Sequence, residues 1–206
     1  MKIALINEFS ARDKNKLILE ALDAVDARVY NIGMSENGTE QELSYIHTGL
    51  MAGLAIATKS ADFVVGGCGT GQGFAISAMQ YPGVFCGLIT NPLDAWLFSQ
   101  INDGNCISLA LNKGFGWAGD INLSYIFEKL FTDPPGQGYP SHRSAVQQAS
   151  RALLRDISAA AHHDFPTILR AMEPGVRTQI AGHKPFAEFI QTQAEPGELR
   201  DLILNP

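Results

Sequence analysis

The fold is decided by the stretch Phe63-Val64-Val65-Gly66-Gly67-Cys68-Gly69-Thr70-Gly71-Gln72-Gly73, which runs into Phe74-Ala75-Ile76-Ser77-Ala78-Met79. A short apolar run, a glycine-rich loop and an apolar helix-like segment follow one another here. This order is typical of a buried strand that leads into a helix. Glycines let backbone amides approach a ligand closely, and a helix N-terminus attracts negative charge. The stretch therefore predicts a small-anion site at the carboxyl end of a strand.

Cys68 is the only one of the three cysteines that is surrounded by glycines. The partial positive charge of a helix N-terminus favours the thiolate form, which can act as a base or a nucleophile. Cys86 and Cys106 lie in apolar runs and are predicted to be core residues. Because the cysteine count is odd and no close pair occurs in the sequence, we expect neither a disulfide framework nor a zinc cluster.

Apolar runs and helical periodicity alternate on both sides of the Cys68 loop. Strands are predicted at 2–7, 28–32, 62–66, 84–89 and 106–111, and helices at 11–25, 44–59, 73–80, 91–101, 120–131 and 141–161. This alternation predicts an α/β fold, a doubly wound parallel five-stranded sheet with helices on both faces. Ligands of such sheets bind beyond the carboxyl ends of the strands. That edge is expected to carry Asn7, Glu8, the Cys68 loop, Thr90-Asn91 and Asn112-Lys113.

The chain is predicted to form one domain over residues 1–160 and a helical C-terminal extension over 161–206. The extension contains several prolines between short helix-like segments, such as 186–192 and 199–204. It is expected to pack on the same domain or on a dimer partner. The loop 114–119 is expected to be a tight connection whose two aromatic residues, Phe115 and Trp117, pack in the core. His162, His163 and His183 are predicted to be solvated, and His47 or His142 could face the active-site edge.

The composition excludes some classes of partner. Lys and Arg number 15 against 21 Asp and Glu, and the net charge of −6 argues against binding to nucleic acid or to an anionic membrane surface. The N-terminal apolar run is too short for a signal peptide, and no stretch reaches membrane-spanning length. We expect a cytoplasmic protein that meets its anion with local donors.

The glycine pattern does not match the common nucleotide-binding loops. Dinucleotide fingerprints have the spacing G-x-G-x-x-G after the first strand, whereas Gly69, Gly71 and Gly73 follow the third predicted strand with the spacing G-x-G-x-G. A phosphate-binding P-loop would need a Gly-Lys-Ser/Thr sequence, which is absent here. A small-anion or oxyanion site is the better interpretation.

Two motifs carry a resemblance to a known family. Cys68-Gly69-Thr70-Gly71-Gln72-Gly73, with Pro82-Gly83-Val84 after it, resembles the signature of the ribose-5-phosphate isomerase B family, which includes galactose-6-phosphate isomerase subunits. Gln100-Ile101-Asn102-Asp103-Gly104-Asn105 is similar to a second motif of that family. The resemblance covers about residues 1–155. It implies a Rossmann-like aldose–ketose isomerase without metal or organic cofactor, and a homodimer, or a tetramer, with shared active sites.

The resemblance also implies roles for individual residues. Cys68 would be the base that moves a proton between C1 and C2, and Thr70 would assist at a substrate hydroxyl. The amides from Gly69 through Gly71 to Gly73 would stabilise the enediolate. The remaining substrate-binding residues are the pair Asn7 and Glu8 after the first strand, the pair Asn102 and Asp103, and Arg143, which would reach into the partner's site.

Three positions depart from the family pattern. Ile101 stands where the family has a ring-opening histidine, Phe9 follows the acidic residue Glu8 in place of a histidine, and Tyr139 stands near a second arginine position. Fewer cations are therefore available for a phosphate. A sugar phosphate and an unphosphorylated hexuronate or deoxyhexuronate both remain open as substrates. A non-catalytic, flavodoxin-like binder of a nucleotide or phosphorylated metabolite is the alternative outside catalysis, and a redox role of Cys68 is a weaker one.

Overall fold

The computed structural model describes residues 1–36 and 41–206, and within them five strands form one parallel sheet. The strands are β1 (Lys2–Asn7), β2 (Arg28–Asn31), β3 (Phe63–Cys68), β4 (Cys86–Ile89) and β5 (Cys106–Ala110), in the spatial order β2-β1-β3-β5-β4. Helices cover both faces of the sheet, so the predicted doubly wound α/β fold is confirmed.

Ten α-helices accompany the strands in the described part of the chain. They are α1 (Asn15–Leu22), α2 (Tyr45–Ala57), α3 (Gln72–Ala78), α4 (Pro92–Leu97), α5 (Gly119–Phe131), α6 (Ser144–Ala161), α7 (Phe165–Ala171), α8 (Pro174–Gly182), α9 (Lys184–Gln193) and α10 (Glu198–Leu204). The predicted helix over 11–25 begins instead as a 3-10 helix, Phe9–Lys14, and the helix predicted over 91–101 ends in a π-turn, Phe98–Asn102. None of these helices is long and apolar enough to cross a membrane.

The alternation of side chains along β1 divides the core into two halves. Ala4 and Ile6 point to the face covered by α2, α3 and the C-terminal helices, whereas Ile3 and Leu5 point to the face covered by α1 and α5. All four side chains are fully buried. This accounts for the continuous apolar run at the start of the sequence, because a central parallel strand is covered on both sides.

Strand β1 marks the point at which the chain changes direction across the sheet. From β1 the chain adds β2 on one side and then β3 on the other, with Ile3 beside Phe63 and Asn7 beside Gly67. The crevice between the carboxyl ends of two such strands is where open α/β sheets bind ligands. The Cys68 loop lies at this crevice.

The C-terminal residues form four helices, α7 to α10, of which α9 and α10 contain the predicted helical segments 186–192 and 199–204. Phe165, Phe186 and Ile190 are buried in the same cluster as residues of β1 and α2. His183, predicted to be solvated, is only 3% exposed, and its Nε2 lies 3.0 Å from the carbonyl oxygen of Ile32. The prediction failed because the turn after Gly182 packs against the sheet instead of facing water.

Candidate active site

Cys68 ends β3 and is fixed by backbone hydrogen bonds on both sides. Its carbonyl oxygen accepts hydrogen bonds from the amides of Leu111 (3.1 Å) and Gly71 (3.3 Å). The residue is 6% exposed, so the thiol lies at the boundary between the core and the site. The next turn is held by Gly71, which has φ +75° and whose carbonyl accepts from Ser108 Oγ at 2.5 Å. The loop is therefore positioned by the strand next to it.

Only some of the predicted oxyanion donors are free. The amide of Gly69 donates to Ser10 Oγ (3.0 Å), and that of Gln72 donates to Thr70 Oγ1 (3.3 Å). The Gly71 amide is used within the loop, as described above. Among the described residues, the amides of Thr70 and Gly73 have no protein acceptor. Two N–H groups beside Cys68 are thus available to a developing negative charge.

Glu8 is connected to the Cys68 loop through Ser10. The Glu8 carboxylate accepts hydrogen bonds from the Ser10 amide (3.0 Å) and from the Ser10 hydroxyl, which in turn accepts from the Gly69 amide. Asn112 Nδ2 donates to the Ser10 carbonyl at 2.7 Å, and this fixes Ser10 from the side of β5. Sequence reasoning missed Ser10, because its contact with Gly69 joins residues 59 positions apart in the sequence and no local pattern reports it.

Asn7 is adjacent to Glu8 but does not open on the same space. Its side chain is fully buried, and neither its Oδ1 nor its Nδ2 has a hydrogen-bond partner among the described residues. Because its side chain is buried, we expect Asn7 to shape the crevice rather than to contact a substrate.

Three cations surround this edge of the sheet. Arg12 stacks on the ring of Phe9 at 4.1 Å, and Lys14 lies 5.4 Å from the ring centre of Phe115. Lys113 is exposed and, together with Thr70, lines a cavity of about 330 Å³. These side chains could offset an anion that binds beside the Cys68 loop.

His47 lies at the start of α2, at the same edge. Its Nδ1 accepts a hydrogen bond from the Ser44 amide at 3.1 Å, which closes a capping box at the helix start. Burial lowers the pKa of His47 below its usual 6.5. Tyr45, next to Ser44, packs its ring against Gly73, where a Cβ would lie 3.1 Å from the ring. His47 is therefore a neutral structural group beside the site.

Asn102, Asp103 and Arg143 lie at the other edge of the sheet. Asn102 and Asp103 precede β5, whose first residue Cys106 pairs with Val64, whereas Cys68 pairs with Ala110 at the far end of the same strand. The Asp103 carboxylate lies 3.6 Å from Arg151 Nε and 3.5 Å from Arg155 NH2. Within one chain, these predicted site residues are separated from Cys68 by the length of the strand.

Asn102 and Arg143 do lie together, in a groove of about 450 Å³ that also contains Ile101. One wall of the groove is α6, where Leu154 and Ile157 are half exposed. Further large apolar side chains are about half exposed: Val146 and Leu153 on α6, and Ile76 and Met79 at α3. Met79, Val146, Leu154 and Ile157 all line the groove, and neighbouring exposed apolar side chains of this kind are typical of a protein interface.

Cys86 and Cys106 form a close pair in space, which the sequence did not indicate. They are directly opposite each other on β4 and β5, and burial together with the Cys86 thiol raises the pKa of Cys106. Both contact the core, as predicted. Among the described residues, no group of three His, Cys, Asp or Glu side chains could hold a metal ion.

Comparisons with known proteins agree with this architecture. The model of the Ribose/Galactose Isomerase family matches residues 3–127. A crystal structure of a ribose-5-phosphate isomerase from Vibrio parahaemolyticus is 44% identical, with a TM-score of 0.93, over 98% of this chain and 97% of that one. The structure of a 4-deoxy-L-threo-5-hexosulose-uronate ketol-isomerase complexed with a tartrate is 36% identical, with a TM-score of 0.95, over 100% of both chains.

A ribose-5-phosphate isomerase B from Clostridium thermocellum is 21% identical and covers 79% of this chain, with a TM-score of 0.64, which indicates a shared fold. The comparison with curated protein sequences finds no significant match.

Proposed function

Because the chain belongs to the ribose/galactose isomerase family, we propose that it interconverts the aldose and ketose forms of an acidic sugar with Cys68 as the base. The observation that carries this proposal is the Cys68 thiol at the carboxyl end of β3, beside the two unpaired amides of Thr70 and Gly73. A base next to preorganised donors is the arrangement that enolisation needs.

The Cys68 thiolate removes the proton from C2 of the open-chain aldose. The electrons of that C–H bond form the C1–C2 double bond, and the negative charge moves to O1, where the amides of Thr70 and Gly73 donate hydrogen bonds. The O2 proton moves to O1, and Cys68 returns its proton to C1, which leaves the carbonyl at C2. No other reactant is consumed. The Thr70 hydroxyl and the Glu8 carboxylate orient the sugar hydroxyls.

The second half of the site comes from another copy of the chain. Asn102 lies before the first residue of β5, at the opposite end of the sheet from the Cys68 loop, and Arg143 lines the same groove as Asn102, beside exposed apolar side chains of α6 and α3. A two-fold dimer formed through this face would let Arg143 of one copy bind the anionic end of a sugar held by the other copy. We propose a homodimer with shared sites.

The charged end of the substrate is either a phosphate or a carboxylate. The ribose-5-phosphate isomerase from Vibrio parahaemolyticus and the 4-deoxy-L-threo-5-hexosulose-uronate ketol-isomerase both match this chain over its C-terminal helices. Phe9, Ile101 and Tyr139 leave fewer cations and histidines than a phosphate site uses, which favours a carboxylate. The 44% identity to the ribose-5-phosphate isomerase makes a sugar phosphate the first candidate, and these three positions make an unphosphorylated uronate the second.

Proton exchange tests the chemistry directly. Wild-type protein is incubated in deuterated water with D-ribose 5-phosphate and, separately, with 4-deoxy-L-threo-5-hexosulose uronate, and deuterium incorporation next to the carbonyl is measured by NMR. We expect exchange with one of them, and a loss of at least about a thousandfold in Cys68→Ser, which keeps the side-chain size. Unchanged exchange in Cys68→Ser would remove Cys68 from the mechanism. No exchange with either sugar, together with thermal stabilisation by a nucleotide, would support the non-catalytic binder instead.

A further inference from the structure

The Trp117 loop, residues 113–118, connects β5 to α5 at the carboxyl edge of the sheet. Its first residue is tied to the catalytic loop, because the Lys113 amide donates to the Gly69 carbonyl at 2.8 Å. Its other end enters α5, where the Asn122 amide bonds the Ala118 carbonyl at 3.1 Å. The segment therefore starts at the Cys68 loop and ends at the first turn of α5.

The two aromatic residues of this loop have opposite environments. Phe115 packs against the core and lies so close to Gly119 that a Cβ there would be 2.5 Å from its ring. Trp117 is 101% exposed, and the expectation that both aromatics pack in the core was wrong for this residue. An indole is a large apolar group with one polar atom, and such side chains are enriched where they meet a ligand or partner.

The residues around Trp117 have positive backbone φ angles, which are uncommon outside glycine. Gly114 and Gly116 have φ of +73° and +53°, and Ala118, which has a Cβ, also has a positive φ of +63°. A Cβ at Gly114 would meet no atom within 4 Å, so packing does not explain the glycine there. Glycines that serve conformation rather than packing allow a segment to change direction at low cost.

The loop also has the reach to cover the site. Trp117 is four residues from Lys113, and four residues span at most about 14 Å. Residues 113–115 and Thr70 line the same cavity of about 330 Å³, so the loop already forms one wall of the space beside the catalytic loop.

We propose that Trp117 is a substrate-contacting residue: its loop turns over the Cys68 loop, and the indole packs against the C–H face of the bound sugar. The inference rests on the proposed function. The sugar presents polar groups to the amides and carboxylate below, and a hydrocarbon face to the indole above. Closure excludes water from the enediolate, which strengthens the hydrogen bonds to it.

Tryptophan fluorescence separates this role from the chemistry, because the chain has two tryptophans. Trp96→Phe leaves Trp117 as the only indole, and Trp117→Phe leaves Trp96, whose Nε1 bonds Asp133 at 2.9 Å, as the matched control. Both variants are titrated with D-ribose 5-phosphate, with 4-deoxy-L-threo-5-hexosulose uronate and with tartrate, and turnover is measured on the same samples. Trp117→Ala is compared with Trp117→Phe in kcat and KM.

We expect the emission of Trp96→Phe to shift to the blue with the sugar that is turned over, and that of Trp117→Phe to stay unchanged. KM should rise about tenfold in Trp117→Ala and recover largely in Trp117→Phe. Turnover by Trp96→Phe without a shift in emission would overturn the proposed role of Trp117 and leave the proposed function intact. A blue shift that depends on protein concentration without ligand would overturn it in favour of an interface. No binding or turnover of any probe by wild type would overturn both proposals.

Discussion

The two edges of the sheet are built in different ways. At the carboxyl edge, Glu8, Ser10 and Gly69 form a continuous set of hydrogen bonds within one chain around a nearly buried thiol. At the amino edge, Asn102 and Arg143 lie in an open groove beside exposed apolar side chains. The first edge is organised by the fold itself, whereas the second has the character of a surface that is completed by a partner. In the proposed function, the chemistry belongs to the first edge and the recognition of the anion to the second.

The strongest test of this division is to mix two variants of low activity. Cys68→Ala is expected to lose at least about a thousandfold in activity because it lacks the base, and Arg143→Ala at least about tenfold because it lacks a charge-assisted hydrogen bond. In a two-fold dimer, random mixing makes half of the dimers mixed, and each mixed dimer has one intact site of two. About a quarter of the wild-type activity should return.

The control for that mixture uses two variants of the same edge. Cys68→Ala mixed with Glu8→Ala leaves every site with a defect, so no activity should return. Recovery in both mixtures, or in neither, would contradict a site shared between copies. The measurement is activity after joint refolding, with the dimer fraction followed by size-exclusion chromatography.

A second prediction concerns the C-terminal helices, which support the carboxyl edge. Gln179 donates to the Glu42 carbonyl at 2.6 Å, and His183 contacts Ile32, so α8 and the residue after it hold the segment before α2. We propose that these helices unfold together with the sheet. Phe186→Ala, at a fully buried position, should lower the free energy of unfolding by about 3–5 kcal/mol.

Urea unfolding followed by circular dichroism measures this effect. Leu93→Ala, at a position that is 64% exposed, is the control and should change the free energy by less than about 0.5 kcal/mol. A separate early transition in Phe186→Ala, with the main transition unshifted, would show that residues 161–206 fold independently.

A third prediction tests whether Ser10 positions the catalytic loop. Ser10→Ala removes the acceptor of the Gly69 amide and a donor to Glu8, and we expect kcat to fall about tenfold with little change in KM. Ser10→Thr keeps the hydroxyl and should retain most of the activity. Equal losses of kcat in the two variants would show that the Ser10 hydroxyl does not position the catalytic loop.

The predictability of the two edges differs for a physical reason. Strand and helix order follows from hydrophobic periodicity, so the alternation around Cys68 was sufficient to place Glu8 and the Cys68 loop at one edge. The partners of the loop amides depend on tertiary contacts over long sequence separations, such as Ser10 with Gly69, and no local pattern reports them. Likewise Phe115 and Trp117 have similar apolar character in the sequence, and only the fold distinguishes the packed ring from the exposed one.

The smallest expected effect concerns His47, whose titration makes the stability of the folded chain depend on pH. Its pKa is lowered by burial, and its Nδ1 must be unprotonated to accept from the Ser44 amide. Above about pH 6.5 the imidazole is neutral in both the folded and the unfolded chain, so it adds no pH dependence. Below that pH the unfolded chain binds a proton that the folded chain resists, and stability falls as the pH falls.

His47→Gln keeps an acceptor at the capping position but cannot titrate. The decrease in melting temperature between pH 7.5 and 5.5 should therefore be smaller in the variant, by about 2 °C. All other titratable groups are shared by the two proteins, so the difference isolates His47. An equal decrease in both would mean that the imidazole takes up its proton as readily in the folded chain as in the unfolded one.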